Sequence, residues 1–196
     1  MERPLRLGFL ASHGGTAFKY IHDAINQGKL NAEIVAFVSN NSKSEAMKFA
    51  REHYPDSSHH VSSKTHENPD KAIAEIMMKV GIDYMIFSGW MKPGSSDLIE
   101  PFKNRVINPH PGDTKKHGGP GMYGDAVHAS VLASGEKLTR PTIHLVESDG
   151  IDTGKILSQG VVDILPEDTI ESLSERVKPV ECKLLLSVLQ TLEPVS

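Results

Sequence analysis

Short apolar segments alternate with longer amphipathic ones through the first half of the chain. Four apolar segments are typical of buried strands, and they are residues 5–11, 34–38, 84–88 and 106–108. Between the first two, Phe18, Ile21 and Ile25 follow helical spacing, and Gly28 predicts the end of that helix. This alternation predicts a parallel sheet whose strands are connected by helices.

The pattern changes after residue 140. Residues 142–146 and 155–164 predict two strands, joined by a loop over residues 148–153. The last apolar positions recur at spacings of three and four and predict a helix packed against the sheet. They are Ile170, Leu173, Val177, Val180 and Leu184. Pro179 lies within this helix and is expected to kink it.

The composition supports one globular α/β domain over residues 1–196, with a Rossmann-like, mostly parallel twisted sheet flanked by helices. The chain is 38% hydrophobic and 23% charged, with a formal net charge of −4. It has no long basic run and no long apolar span, so we expect neither a nucleic-acid partner nor membrane association. The single cysteine, Cys182, favours a reducing compartment, and we expect the cytoplasm.

The segment Asn108-Pro109-His110-Pro111-Gly112 begins at the last residue of the fourth predicted strand. Side chains alternate between the two faces of a strand, so Asn108 and His110 should point the same way. Each precedes a proline, which restricts its backbone to extended conformations. Proline has no N–H to donate, so we expect strand pairing to stop near Pro109. This places the pair at the carboxyl end of a strand, where open α/β sheets bind ligands.

The segment Asp149-Gly150-Ile151-Asp152-Thr153-Gly154 lies about forty residues later. With Asn108 and His110 it supplies an amide, an imidazole and a carboxylate, which can stabilise and protonate groups around an acyl carbon. Each residue also has a structural interpretation. Asn108 could satisfy backbone groups at the strand end, and Asp152 could form an Asx-turn.

The loop Ser12-His13-Gly14-Gly15-Thr16 connects the first predicted strand to the first helix. Its glycines let backbone N–H groups approach an anion, and the helix start adds partial positive charge, which suits a phosphate. The loop matches neither the dinucleotide fingerprint nor the P-loop. The alternative is a tight turn in which Ser12 or Thr16 caps the helix.

Two further expectations concern loops and histidines. Residues 113–124 contain four glycines in twelve positions and predict a mobile loop beside the site. The histidines outside the motifs, including His59 and His60, show no ligand constellation and are expected at the surface.

The Asn-x-His pair, the Gly-Ile-Asp-Thr-Gly loop and the order of elements resemble the folate-dependent formyltransferases. The similarity continues through Ser88-Gly89-Trp90-Met91 to Arg176-Val177-Lys178 and Glu181. The resemblance implies the formyltransferase fold, with Asn108, His110 and Asp152 as the catalytic residues. It also implies 10-formyltetrahydrofolate as formyl donor and co-substrate, and no metal.

The resemblance further implies two binding regions. A phosphorylated amine would be held by the Ser12 to Thr16 loop together with Lys178 and Glu181, although these last two could form an ordinary exposed ion pair. The folate would be held by Trp90, Met91, Lys92, Asp149, Gly150 and Ile151, although a Trp-Met pair after a strand is otherwise typical of a core. His144 resembles a histidine of the family and is either an accessory group or a structural one.

In the implied reaction an amine attacks the formyl carbon and a tetrahedral intermediate forms. Asn108 and His110, the latter preferably as imidazolium, would donate hydrogen bonds to its oxyanion, and Asp152 would raise the proton affinity of His110 and relay a proton. The expected acceptor is glycinamide ribonucleotide, the substrate of a purine-pathway branch of the family. The alternatives are an amino sugar nucleotide as acceptor, hydrolysis of the formylfolate, or a non-catalytic folate- or nucleotide-binding module.

We expect phosphate binding mainly in the first half, about residues 1–100, and catalysis and folate binding in the second half, about residues 101–196. The expected partners are small-molecule substrates, and the expected assembly is a monomer or a homodimer.

Overall fold

A seven-stranded sheet forms the centre of the protein in a computed structural model that describes residues 3–195. Its strand order is β3-β2-β1-β4-β5-β7-β8, and two further short strands, β6 and β9, pair separately. The strands are β1 (Leu5–Leu10), β2 (Ala32–Ser39), β3 (Ser58–His60), β4 (Tyr84–Phe87), β5 (Val106–His110), β6 (Leu138–Thr139), β7 (Thr142–Leu145), β8 (Ile156–Gln159) and β9 (Val162–Asp163).

Helices occupy both faces of the sheet. They are α1 (Thr16–Asn26), α2 (Glu45–His53), α3 (Pro69–Val80), α4 (Ser96–Ile99), α5 (Thr114–His117), α6 (Asp125–Ala133) and α7 (Ile170–Leu189), with single 3₁₀ turns at Pro55–Ser57 and Glu100–Phe102. Helix α1 buries Phe18 and Ile21 of the predicted stripe and partly buries Ile25, and Gly28 adopts a φ of 68° just beyond its end. Within residues 3–195 no helix is both long enough and apolar enough to cross a membrane.

The first five strands of the sheet are parallel, as the alternation of strands and helices predicts. β7 and β8 then run antiparallel to their neighbours. Because β1, β4 and β5 are adjacent and parallel, their carboxyl ends meet at one edge of the sheet. The loops that follow these strands therefore converge.

One predicted strand, residues 155–164, is wrong because the segment forms two strands in two different sheets. The break falls at Gly160, whose N–H donates to the Pro141 carbonyl at 2.9 Å. A Cβ at Gly160 would come within 2.9 Å of Val180 and 3.0 Å of Leu184, so the chain passes too close to α7 for a side chain here. β9 then leaves β8 and pairs with β6.

Two apolar cores cover the two faces of the sheet. On one face Phe18 of α1 packs against Phe9 and Phe37, with ring centroids 5.3 and 4.6 Å apart, and the apolar side of α7 completes this core. On the other face, Ile73 and Met77 of α3 pack against buried apolar residues of the strands. Helix α7 is continuous through Pro179, and the kink there stays a prediction.

Candidate active site

The loops after β1, β4, β5 and β7, together with α7, line a cavity of about 990 Å³. Almost every residue that the sequence singles out lines this cavity. These residues are His13, Gly14, Gly15, Thr16, Trp90, Met91, Lys92, Asn108, His110, His144, Asp149, Gly150, Ile151, Asp152, Lys178 and Glu181. Helix, strand and loop residues far apart in sequence are therefore brought to one surface.

Ser12 is the exception. It is buried, and it is not among the described residues that line the cavity. Its hydroxyl oxygen accepts the N–H of Met91 at 3.0 Å. Ser12 therefore connects the loop after β1 to the loop after β4. Its burial and this hydrogen bond argue against the predicted contact between the Ser12 side chain and substrate.

The start of α1 is built from glycine. Gly15 precedes the helix with a φ of 63°, and neither Ser12 nor Thr16 provides a side-chain cap, so that alternative interpretation is wrong. The Phe18 N–H donates to Ser88 Oγ at 3.0 Å. Ser88 thus uses one donor of the first turn, and the remaining N–H groups at the cavity wall present backbone donors and the positive end of the helix dipole.

The prediction that strand pairing stops near Pro109 is correct on the side of β5 that faces β4 and wrong on the side that faces β7. Parallel pairing with β4 ends at Ile107, but antiparallel pairing with β7 continues to His110. The Val106 carbonyl accepts the N–H of Val146 at 2.9 Å, so even-numbered residues of β5 turn their backbone polar groups toward β7. Pro109 turns toward β4, which has already ended its pairing, so its missing N–H breaks no ladder bond.

His110 is buried beside the cavity, with only 3% of its surface exposed. Its Nε2 lies 2.9 Å from the carbonyl oxygen of His117. A carbonyl oxygen can only accept, so Nε2 carries a hydrogen. The other nitrogen, Nδ1, lies 3.7 Å from Oδ2 of Asp152.

Asp152 connects two histidines and a backbone amide. Oδ2 accepts the Gly119 N–H at 3.0 Å, and Oδ1 lies 3.4 Å from Nε2 of His144. The side chain is thus directed at β5, β7 and the loop after β5, which excludes the Asx-turn interpretation. Its backbone φ of 58° is uncommon outside glycine, and strain of this kind concentrates at functional sites.

His144 joins Asn108 to Asp152. Its Nδ1 donates to the Leu145 carbonyl at 2.8 Å, so in the neutral ring Nε2 is an acceptor. Nδ2 of Asn108 lies 3.1 Å from that Nε2 and donates one of its two hydrogens there while the ring is neutral, whereas in the protonated ring Nε2 donates to Asp152 instead. The second hydrogen of the Asn108 amide is left for the cavity.

Burial and neighbouring charges shift the pKa values of His110 and Asp152. Burial lowers the pKa of His110, and the Asp152 carboxylate opposes this shift without reversing it. Burial raises the pKa of Asp152, but the contacts with His144, His110 and Gly119 outweigh burial, so its pKa is lowered. These two shifts favour a neutral His110 beside an ionised Asp152 before reaction, and the imidazolium that is expected to donate to the oxyanion stays a prediction.

Lys178 and Glu181 lie on one face of α7, as their spacing predicts, because the helix continues through Pro179. Lys178 is exposed, whereas Glu181 is only partly exposed to the cavity. Burial raises the pKa of Glu181 to about 8, against the effect of the nearby Lys178 ammonium. This part of the cavity wall combines a cation with a carboxyl group that protonates readily.

The predicted folate-binding residues include one mostly buried aromatic ring and two exposed side chains. Trp90 is 8% exposed and belongs to the core with Phe87, so the core interpretation holds for most of its ring, although its edge lines the cavity. Its Nε1 has no hydrogen-bond partner among the described residues. Lys92 and Ile151 are exposed at the cavity.

Sequence reasoning missed two buried histidines. His117 is 6% exposed and His128 is 3% exposed, which contradicts the expected surface location. Both lie in or beside the glycine-rich segment 113–124, which contains the helical turn α5 rather than only a loop. Its mobility stays a prediction. No local pattern marks these two histidines as buried, because their burial results from packing in the fold.

This chain is similar to proteins of a known family. A family model described as formyl transferase matches residues 5–189. A phosphoribosylglycinamide formyltransferase of Arabidopsis thaliana, described as chloroplastic, is 32% identical over 192 residues, which cover 95% of this chain and 64% of that protein. This chain therefore spans less than two thirds of the length of that relative.

Solved structures show the same fold. Glycinamide ribonucleotide transformylase 1 from Symbiobacterium toebii superimposes with a TM-score of 0.87 at 25% identity, covering 95% of this chain and 86% of that one. Phosphoribosylglycinamide formyltransferase from Brucella melitensis gives a TM-score of 0.84 at 28% identity, covering 99% and 100%. Since the family model spans nearly the whole sequence, this chain belongs to the formyl transferase family.

Proposed function

We propose that this protein transfers a formyl group from 10-formyltetrahydrofolate to the amine of glycinamide ribonucleotide, a step of purine biosynthesis. The observation that carries the proposal is the cavity in which Asn108, His110 and Asp152 lie beside an uncapped helix start and the Lys178 ammonium. The names of the Arabidopsis and bacterial relatives support the same acceptor.

The acceptor phosphate would bind at the start of α1. Gly14 and Gly15 bring backbone N–H groups to the cavity without side chains in the way, and Lys178 adds a full positive charge. Glu181 would accept hydrogen bonds from ribose hydroxyls. Phosphate binding is thus assigned mainly to the first half of the chain, although Lys178 and Glu181 come from the second half.

The formylfolate would bind along the loops after β4 and β7. Met91 and the exposed Ile151 provide apolar surface for the folate rings. Backbone groups of residues 149–151, where Glu147 and Gly150 form a bridge, would meet the polar edge of the pterin. Lys92 is placed for the negatively charged tail.

Asn108 and His110 would act on the formyl group. The amine nitrogen bonds to the formyl carbon, and the carbonyl electron pair moves to oxygen. The free N–H of Asn108 donates to that oxyanion, which is typically worth about 3 kcal/mol. The neutral Nδ1 of His110 is suited to take the proton from the new ammonium, which produces an imidazolium that can donate in turn.

Asp152 would stabilise that imidazolium through the 3.7 Å contact between Oδ2 and Nδ1. The proton then passes to the folate nitrogen, directly or through water, and the bond between this nitrogen and the formyl carbon breaks. His144 would act as an accessory positioning residue, because its Nε2 orients the Asn108 amide. We propose no metal in this scheme.

The test is a panel of amines supplied with 10-formyltetrahydrofolate, with tetrahydrofolate formation as the readout. We expect turnover with glycinamide ribonucleotide and a much lower kcat/KM with its dephosphorylated form. Equal kcat/KM for both would contradict phosphate recognition. Turnover with an amino sugar nucleotide, turnover without an amine, or binding without turnover would each support one of the alternatives instead.

A cytoplasmic location also stays a proposal. It is supported by the free and buried Cys182, which is compatible with a reducing compartment. The small-molecule partners and the choice between monomer and homodimer are proposals of the same kind.

A further inference from the structure

His117 is held by both nitrogens of its ring, although the described structure places it outside the lining of the cavity. Nδ1 lies 2.9 Å from the hydroxyl oxygen of Ser130 in α6, and Nε2 lies 3.1 Å from Oε1 of Glu136. The other carboxylate oxygen of Glu136 accepts from the Lys116 ammonium at 2.8 Å. A buried ring with two such partners has little freedom to rotate.

The backbone of the same residue contacts the candidate active site. The His117 carbonyl accepts from Nε2 of His110 at 2.9 Å, and two residues later the Gly119 N–H donates to Asp152 at 3.0 Å. Residues 117–119 therefore contact both members of the His110 and Asp152 pair.

This segment fits closely against its surroundings. A Cβ at Gly118 would lie 2.3 Å from the Thr114 carbonyl oxygen and 3.0 Å from Cβ of Asp152, so only glycine fits between them. A displacement of the segment would weaken its contacts with both His110 and Asp152.

The His117 carbonyl decides which nitrogen of the neutral His110 ring carries hydrogen. While it accepts from Nε2, Nδ1 of the neutral ring carries no hydrogen and is available as the base of the proposed transfer. If the carbonyl moved away, the hydrogen could reside on Nδ1 and the base would be lost. This carbonyl belongs to His117, whose side chain is held by Ser130 and Glu136. Its position therefore depends on those two contacts.

We propose that His117, held by Ser130 and Glu136, is a positioning residue that fixes the reactive tautomer of His110. This inference rests on the proposed formyl transfer, in which His110 accepts a proton. It adds three residues to the functional unit, and none of them contacts substrate.

The test compares His117→Phe, which keeps a ring but removes both hydrogen bonds, with the matched control His66→Phe, which changes an exposed histidine. Long-range proton–nitrogen NMR of histidine-labelled protein reports the tautomer of His110. We expect hydrogen on Nε2 in wild type and in the control, and a mixture of tautomers in His117→Phe. We also expect kcat to fall about 10- to 100-fold with KM for both substrates nearly unchanged.

Ser130→Ala and Glu136→Gln each weaken one contact and keep the test valid if His117→Phe does not fold. They should give smaller changes in the same direction. An unchanged His110 tautomer in folded variants, or a kcat equal to wild type, would overturn the inference. The NMR measurement needs no turnover, so a wild-type protein that lacks formyl transfer would refute the proposed function separately.

Discussion

The loop after β1 and the loop after β5 line the same cavity but present different parts of the chain to it. At β1 the glycines expose backbone N–H groups, and the helix start has no side-chain cap. At β5 the side chains of Asn108 and His110 form a network with Asp152 and His144 and with the segment that follows β5. An anion can be held by fixed main-chain dipoles, whereas proton transfer requires groups that change charge.

Removing the base should produce the largest effect. We expect His110→Ala to lower kcat by about 10²- to 10⁴-fold, the usual contribution of a general base, with substrate affinity largely retained. Steady-state kinetics together with calorimetric binding of glycinamide ribonucleotide would measure both quantities. The exposed His66→Ala serves as the control, and near-normal turnover of His110→Ala would refute the role of this residue.

Removing the charge of Asp152 should show how this carboxylate affects the pKa of His110 and the rate of the reaction. Activity requires neutral His110, so kcat/KM should fall as pH falls through the pKa of His110, which burial places below 6.5. Because Asp152 raises that pKa, Asp152→Asn should move the acid limb to still lower pH. The plateau should drop about 100-fold, since the imidazolium loses its partner.

The profile of kcat/KM against pH for both proteins is the measurement. An acid limb that moves to higher pH, or a plateau equal to that of wild type, would contradict the assigned charge states.

A change in the loop after β1 should affect binding rather than chemistry. In Gly15→Ala the new Cβ would lie 2.7 Å from Cβ of Ala46 at a φ of 63°, so the loop must shift. We expect KM for the acceptor to rise about 10-fold with kcat nearly unchanged, because the lost interaction is made equally in the ground and transition states.

Gly28→Ala is the matched control. It has a φ of 68° but no atom within 4 Å of the added Cβ, so it carries a similar backbone cost of about 1–2 kcal/mol without the collision. Thermal unfolding should show a loss of stability in both variants, and only Gly15→Ala should change KM. Equal KM values would show that the loop does not bind the acceptor.

Much of the fold was predictable because strands and helices leave periodic patterns. The parallel strands, the stripe of α1 and the shared face of Lys178 and Glu181 follow from local spacing alone. The break at Gly160 was not predictable, because it results from the approach of a distant helix, α7. The same limit explains why His117 was expected at the surface.

The sequence by itself determined which residue types could perform the chemistry and in what order they occur. Asn108 and His110 share a strand face because side chains alternate, and the glycines before α1 permit a positive φ. Only the tertiary structure decided the direction of the His110 pKa shift, the site of its hydrogen and its distance from Asp152. Those properties depend on burial and on partners far away in sequence, and no local pattern encodes them.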